Sequence, residues 1–110
     1  MKHEVFVWLE DISKSISEIY NFLPVPLNYL AFEKDLKTRR AVERNIEIIG
    51  EALNRILKEV PDIAISDSRK IVDTRNRIIH GYDSVTPDIL WLIIQRSLPI
   101  LREEVIELLK

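Results

Sequence analysis

The sequence predicts an all-α protein, an antiparallel bundle of four main helices with a short extra helix. Apolar residues recur at alternating steps of four and three through most of the 110 residues, which is the spacing of amphipathic helices. Prolines separate these periodic segments, and no segment alternates convincingly with the period of two that is typical of a strand. The length suits one domain, so residues 1–110 are expected to form a single helical domain.

The first two long helices are predicted from apolar seams that end at prolines. Helix one covers residues 5–23 and is followed by Pro24 and Pro26; its seam is Val5, Leu9, Ile12, Ile16, Ile19 and Leu23. The second long helix closes at Pro61; its seam is Val42, Ile46, Ile49, Leu53, Ile56 and Val60. Between them, Leu30, Phe32 and Leu36 indicate a short helix within residues 27–40.

Two further helices are predicted in the second half of the chain. One begins at Ser66 or Asp67, both favourable N-caps, and runs to Gly81. Another begins at Thr86-Pro87-Asp88, which supplies a cap, a first-turn proline and an acid. Its apolar positions continue to the C-terminus, and Pro99 is expected to kink it; they are Leu90, Ile94, Leu101, Val105 and Leu108. The aromatic residues Phe6, Trp8, Tyr20 and Trp91 fall on or beside the seams and are interpreted as core or dimer contacts.

Charge and composition restrict the function. The net charge of −2 and pI of about 5.7 argue against a general nucleic-acid coat, so any contact with a polyanion must be local. The best local candidate sets four cations against Asp73; they are Arg69, Lys70, Arg75 and Arg77. The absence of cysteine excludes thiol catalysis and disulfides, and no cofactor is expected. With no secretory signal or membrane span in the sequence, a cytoplasmic protein is expected.

The second long helix contains two features that need a partner. Gly50 lies in its interior, where glycine costs about 1 kcal/mol relative to alanine, and we expect another helix to approach closely there. Glu43, Glu47 and Glu51 form one acidic stripe, because they follow one another at steps of four. Arg44, Arg55 and the cations of the third main helix are expected to pair with this stripe, which is favoured over a metal site.

The segment 75–82, Arg-Asn-Arg-Ile-Ile-His-Gly-Tyr, carries the most chemistry. An arginine fork matches phosphate oxygens, and an imidazole can move protons near neutral pH. The same segment also suits a helix C-terminus, with cations in the last turn and Gly81 in the left-handed conformation. In an ideal helix His80 points about 140° away from Arg75. An active site therefore requires either an irregular helix end at Gly81 or a second subunit.

These residues give the chain a resemblance to the HepT-like branch of the HEPN superfamily, also known as DUF86. The Arg-x4-His-x-Tyr motif of that branch is matched by Arg75, His80 and Tyr82, and an upstream helix is matched by residues 40–52. The resemblance implies a helical-bundle ribonuclease toxin that works without a metal and dimerises, so that two Arg–His pairs face a shared cleft. It also implies a neighbouring nucleotidyltransferase antitoxin, of the MNT type, that can transfer AMP to the motif tyrosine.

Carried over to this sequence, the resemblance makes Arg75 and His80 catalytic and Tyr82 the AMP acceptor. Asn76 and Arg77 are expected to support the site or bind RNA, although a local structural role is favoured for both. Cleavage by the neighbouring 2′-OH needs a base, an acid and positive charge at the phosphate, and the His80 side chains of a homodimer could share the acid and base roles.

Two other interpretations remain open from the sequence. A catalytically silent bundle could dock the nucleotidyltransferase and present Tyr82 to it, with every motif residue still in place. A plain structural dimerisation module would explain the seams but would leave Arg75, His80 and Tyr82 as coincidence.

Overall fold

All regular secondary structure in the described part of the chain is helical. The structure is a computed structural model that describes residues 1–81 and 85–110. The first three helices are α1 (His3–Phe22), α2 (Tyr29–Lys34) and α3 (Leu36–Glu59). They are followed by α4 (Ser68–Ile79), α5 (Pro87–Leu92), a π-helical turn at Ile93–Ser97, and α6 (Leu98–Leu109). The helices α5 and α6 and the π-helical turn between them follow without a break and form the fourth long helix, after α1, α3 and α4. These four long helices and the short α2 confirm the predicted all-α fold.

The core lies along the seams that were predicted from the sequence. Helix α3 packs against both α1 and α4, and α1 also contacts α6. The α1 positions Val5, Leu9, Ile12, Ile16 and Ile19 are completely buried, as are the α3 positions Val42, Ile46, Ile49, Leu53 and Ile56. No helix in residues 1–81 or 85–110 is both long and apolar enough to cross a membrane.

Aromatic packing joins the short helix to the C-terminal part of the bundle. The Trp91 ring lies 5.6 Å from the Tyr29 ring and 5.3 Å from the Phe32 ring, between centroids. Tyr20 donates a hydrogen bond of 3.4 Å to the carbonyl oxygen of Ile94. Trp91 and Tyr20 are therefore core contacts, as the sequence indicated.

A π-helical turn precedes Pro99, the proline expected to distort the last helix. The N–H of Leu98 donates to the carbonyl oxygen of Ile93, five residues earlier, and Pro99 then lies in the first turn of α6. Proline at this place lacks an N–H, and its ring would collide with a regular helical carbonyl. The wider turn is a physical solution to both problems, and it lies directly before the proline that was expected to kink the helix.

The close helix approach predicted at Gly50 is made by α4. A Cβ atom added at Gly50 would lie 2.8 Å from Cγ of Arg75 and 3.3 Å from the carbonyl oxygen of Ile71. The first distance is too short for a methyl group and the second is tight, so α4 or the Arg75 side chain would have to move. Glycine at position 50 therefore sets how deeply α4 lies against α3, and the residue directly above it is the motif arginine.

We predict that Gly50→Ala destabilises the protein by about 1–3 kcal/mol, the usual cost of overpacking, despite the higher helix propensity of alanine. The matched test is Arg75→Gly, which removes the side chain that the new methyl would strike. If the contact is as described, the double variant loses less free energy of unfolding than the sum of the single variants. Denaturant unfolding measures all four proteins, and strict additivity would contradict the contact.

A second prediction concerns the start of α3. Asp35 accepts hydrogen bonds from Thr38 Oγ1 at 2.6 Å and from the Thr38 N–H at 3.1 Å, and these bonds lower the pKa of its carboxyl group. A lowered folded-state pKa gives stability that is present above the ordinary value near 3.8 and is lost as pH falls through the folded value. Asparagine caps helices similarly but does not titrate. The free energy of unfolding, measured from pH 6 to pH 2, should therefore fall less steeply for Asp35→Asn than for the parent protein. Parallel curves for the two proteins would contradict this.

Candidate active site

The guanidinium group of Arg75 is held from two directions. Its Nη2 pairs with Oε2 of Glu51 on α3, and its Nη1 donates a 2.9 Å hydrogen bond to Oδ1 of Asn76. Only 20% of the Arg75 side chain is exposed, and its Nε is buried with no hydrogen-bond partner among residues 1–81 and 85–110. An arginine fixed in this way keeps its planar set of donors in one orientation, as recognition of a phosphate group requires.

Glu51 is shared between two cations. Its second oxygen, Oε1, accepts a 3.0 Å hydrogen bond from Nε of Arg55, one turn later on α3. The Glu51 carboxylate therefore orients Arg75, and Arg55 balances the negative charge of that carboxylate. Two arginines paired with one carboxylate leave a net positive charge at this place. This role of Glu51 was only partly visible in the sequence, where the stripe and a possible cation from the third main helix were the signals.

The rest of the acidic stripe is also ion-paired. Arg40 lies 3.1 Å from Glu43, and Arg44 lies 3.5 Å from Glu47. The expectation that cations pair with these carboxylates is confirmed. Across the described ranges 1–81 and 85–110, no three His, Asp or Glu side chains are grouped so as to hold a metal ion.

His80 lies at the end of α4 and folds back on the helix. Its Nδ1 contacts the carbonyl oxygen of Asn76, which also accepts a 3.2 Å hydrogen bond from the His80 amide. Because a carbonyl oxygen can only accept, Nδ1 must be the donor. In the neutral imidazole the basic lone pair is then on Nε2, the nitrogen that can take up a proton.

Asn76 connects the two motif residues. Its side chain accepts from Arg75, and its main-chain oxygen accepts from His80. Helix α4 stops at Ile79, and Gly81 has a φ of +67°. Gly81 is therefore in the left-handed conformation expected of a helix C-cap. The interpretation of this segment as a helix C-terminus is correct. Arg75 and His80 both contact Asn76.

The four cations of the predicted patch are divided by the fold. Arg75 lines a groove between α1 and α3, whereas Lys70 and Arg77 line a separate depression beside Asp73. Arg75 points toward α3, while the other two follow a different face of α4. Tyr82, the expected AMP acceptor, lies outside the described residues.

The groove beside Arg75 is the larger of these two depressions, with a volume of about 410 Å³. Trp8 and Ile48 line it and are half-buried, and Ala52 lines it and is buried. Trp8 was interpreted as a core or dimer contact; it packs against the core and also lines this groove. The sequence contained no signal for the second role, because the groove forms only when α1 and α3 meet.

We predict that Glu51→Ala releases the guanidinium group of Arg75, because Asn76 alone remains to hold it. Faster rotation of the Arg75 Nη groups in heteronuclear NMR of arginine side chains would show this. Glu47→Ala is the matched control, since Glu47 lies one turn earlier on the same stripe and pairs with Arg44. Unchanged Arg75 signals in Glu51→Ala would contradict the role given to Glu51.

Comparison with known proteins agrees with the family resemblance. Residues 12–108 match the model of a family described as "Ribonuclease HepT-like". A Thermococcus cleftensis protein named "Probable ribonuclease HepT" is 33% identical over 106 residues, which cover 93% of each chain. A Methanocaldococcus jannaschii protein named "Putative RNase" is 31% identical over 108 residues, covering 94% of this chain and 95% of its own.

A second Methanocaldococcus jannaschii protein with the name "Putative RNase" is 28% identical over 113 residues, covering 99% of this chain and 90% of its own. No solved structure matches. The family match covers most of the chain, including both sequence blocks on which the resemblance rested, and confirms that resemblance. The chain belongs to the ribonuclease HepT-like family.

Proposed function

We propose that this protein is a metal-independent endoribonuclease, the toxin of a toxin–antitoxin pair, that cleaves RNA with Arg75 and His80. The observation that carries the proposal is the linkage of both residues through Asn76 at the end of α4. The family description and the names of the relatives support RNA as the substrate class.

The proposed reaction uses the 2′-OH of the RNA as the nucleophile. A base removes the 2′-OH proton while the oxygen attacks phosphorus, the bond to the 5′-oxygen breaks, and an acid protonates that leaving oxygen. His80 Nε2 suits the base role in its neutral form, and a protonated imidazole suits the acid role. Arg75 stabilises the additional negative charge on the crowded phosphate.

A homodimer supplies the second imidazole. One chain offers a single exposed histidine at the motif, since the other histidine, His3, lies at the start of α1. The reaction needs an acid and a base at the same time, so two His80 side chains facing one cleft satisfy it. Arg75 of each subunit then stabilises the phosphate from its own side.

Regulation by a partner is part of the proposal. An MNT-type nucleotidyltransferase antitoxin transfers AMP from ATP to the hydroxyl oxygen of Tyr82, two residues after His80 in the sequence, and releases pyrophosphate. The attached group is bulky and negatively charged, so it blocks the cleft and repels the RNA phosphates. Tyr82 without AMP helps to orient the substrate, and Arg77 supports RNA binding from a different face of α4.

We predict that Arg75→Ala and His80→Ala each lower the rate of RNA cleavage by about 10²- to 10³-fold, the cost of removing a charge-stabilising group or a proton-transfer group. The protein is incubated with structured RNA in the presence of a chelator, after mass spectrometry has shown that Tyr82 carries no AMP. Arg69→Ala, on the exposed surface of α4, and His3→Ala are the matched controls and should remain active.

Helicity and dimerisation are checked for every variant, so that unfolding is not mistaken for loss of chemistry. Unchanged cleavage by a folded His80→Ala dimer would contradict the mechanism. Absence of cleavage by the unmodified parent would instead favour the silent bundle that docks a nucleotidyltransferase and presents Tyr82.

A further inference from the structure

The proposed reaction uses Arg75 but leaves the groove between α1 and α3 without a role. Its apolar lining comes from both helices and includes Trp8 and Ile48. The other lining residues are charged, and two of them, Arg44 and Arg55, are more than half exposed. The charged residues are Asp11 of α1, Arg75 of α4, and Arg44, Glu47, Glu51 and Arg55 of α3. Apolar side chains beside hydrogen-bonding groups can hold a small organic group.

Arg75 connects this groove to the reacting phosphate. The side chain lines the groove from α4, so a phosphate that contacts Arg75 lies at the edge of the groove. A nucleoside attached to that phosphate is within reach of the apolar lining. The volume of about 410 Å³ falls in the range of small-molecule sites, about 300–1,000 Å³, and is large enough for one nucleotide.

We propose that the groove is a subsite for one unpaired nucleotide of single-stranded RNA, next to the phosphate that Arg75 contacts, with its base against Trp8. The inference rests on the proposed function. An aromatic side chain beside a phosphate-binding arginine is a common way to hold an unstacked base. A base inside a duplex is stacked on its neighbours and could not reach Trp8, so the site selects unpaired segments.

The charges of the groove favour contact with a base over tracking of the RNA backbone. Arg44 pairs with Glu47, and Arg55 pairs with Glu51, so these exposed arginines are largely neutralised by their neighbours. Stacking of a base on Trp8 is insensitive to this charge balance, because it depends on contact between the faces of the two rings. The subsite therefore fits a chain whose overall charge is negative.

The two tryptophans of the chain allow a direct test. Trp91→Phe leaves Trp8 as the only indole, and Trp8→Phe leaves Trp91, which packs against Tyr29 and Phe32 away from the groove lining. Each protein is titrated with a single-stranded 2′-fluoro RNA oligonucleotide, which lacks the nucleophile. The proposal expects saturable quenching of Trp8 fluorescence and little change at Trp91. It also expects Trp8→Ala to weaken binding by about fivefold to a hundredfold.

Binding of the oligonucleotide, detected by its anisotropy, without a change at Trp8 would overturn the proposal. A Trp8 signal that depends on protein concentration but not on oligonucleotide would also overturn it, and would assign the groove to a second copy of the chain. If Trp8→Ala is poorly folded, the Trp91→Phe titration still decides. Cleavage without Trp8 quenching refutes the subsite alone, whereas quenching without cleavage supports the subsite and refutes the reaction.

Discussion

The contact between Gly50 and Arg75 is the constraint on which the rest of the site depends. The missing side chain at position 50 lets α4 lie close against α3, and the residue placed in that gap is the motif arginine. From this position the guanidinium group reaches Glu51 on the neighbouring helix. A packing requirement and a chemical requirement are therefore met by one glycine, which explains why a residue unfavourable to helices lies in the interior of α3.

The contact between Gly50 and Arg75 also makes the end of α4 important for the site. With Arg75 held against α3, Asn76 lies beside it and can accept from its guanidinium group, while the carbonyl oxygen of Asn76 binds His80. The imidazole turns back onto the carbonyl oxygen four residues earlier, as the Thr74 hydroxyl does on Lys70 in the same helix. An ordinary C-cap and an active site are thus compatible interpretations of one segment. In the proposed dimer, each chain contributes one such arrangement.

Much of this could be predicted from the sequence, because periodicity reports burial directly. The seams of α1 and α3 are buried as predicted, and Gly50 indicated a close helix contact before its partner was known. Helical spacing alone places Lys70 and Arg77 on one face and Arg75 about 140° from Lys70, but it does not say which face packs against α3. The groove beside Trp8 was also invisible, because it is formed by two helices that are distant in sequence.

The central claim is that RNA is cleaved by its own 2′-OH, with proton transfer by His80 and charge stabilisation by Arg75. The most direct measurement is the chemical identity of the new RNA ends formed in the presence of a chelator, together with a substrate carrying one 2′-deoxy nucleotide at the cleaved position. Attack by the 2′-OH leaves a 2′,3′-cyclic phosphate and a 5′-hydroxyl, and we expect no cleavage at the deoxy position. Cleavage at the deoxy position, or ends bearing a 5′-phosphate, would contradict it.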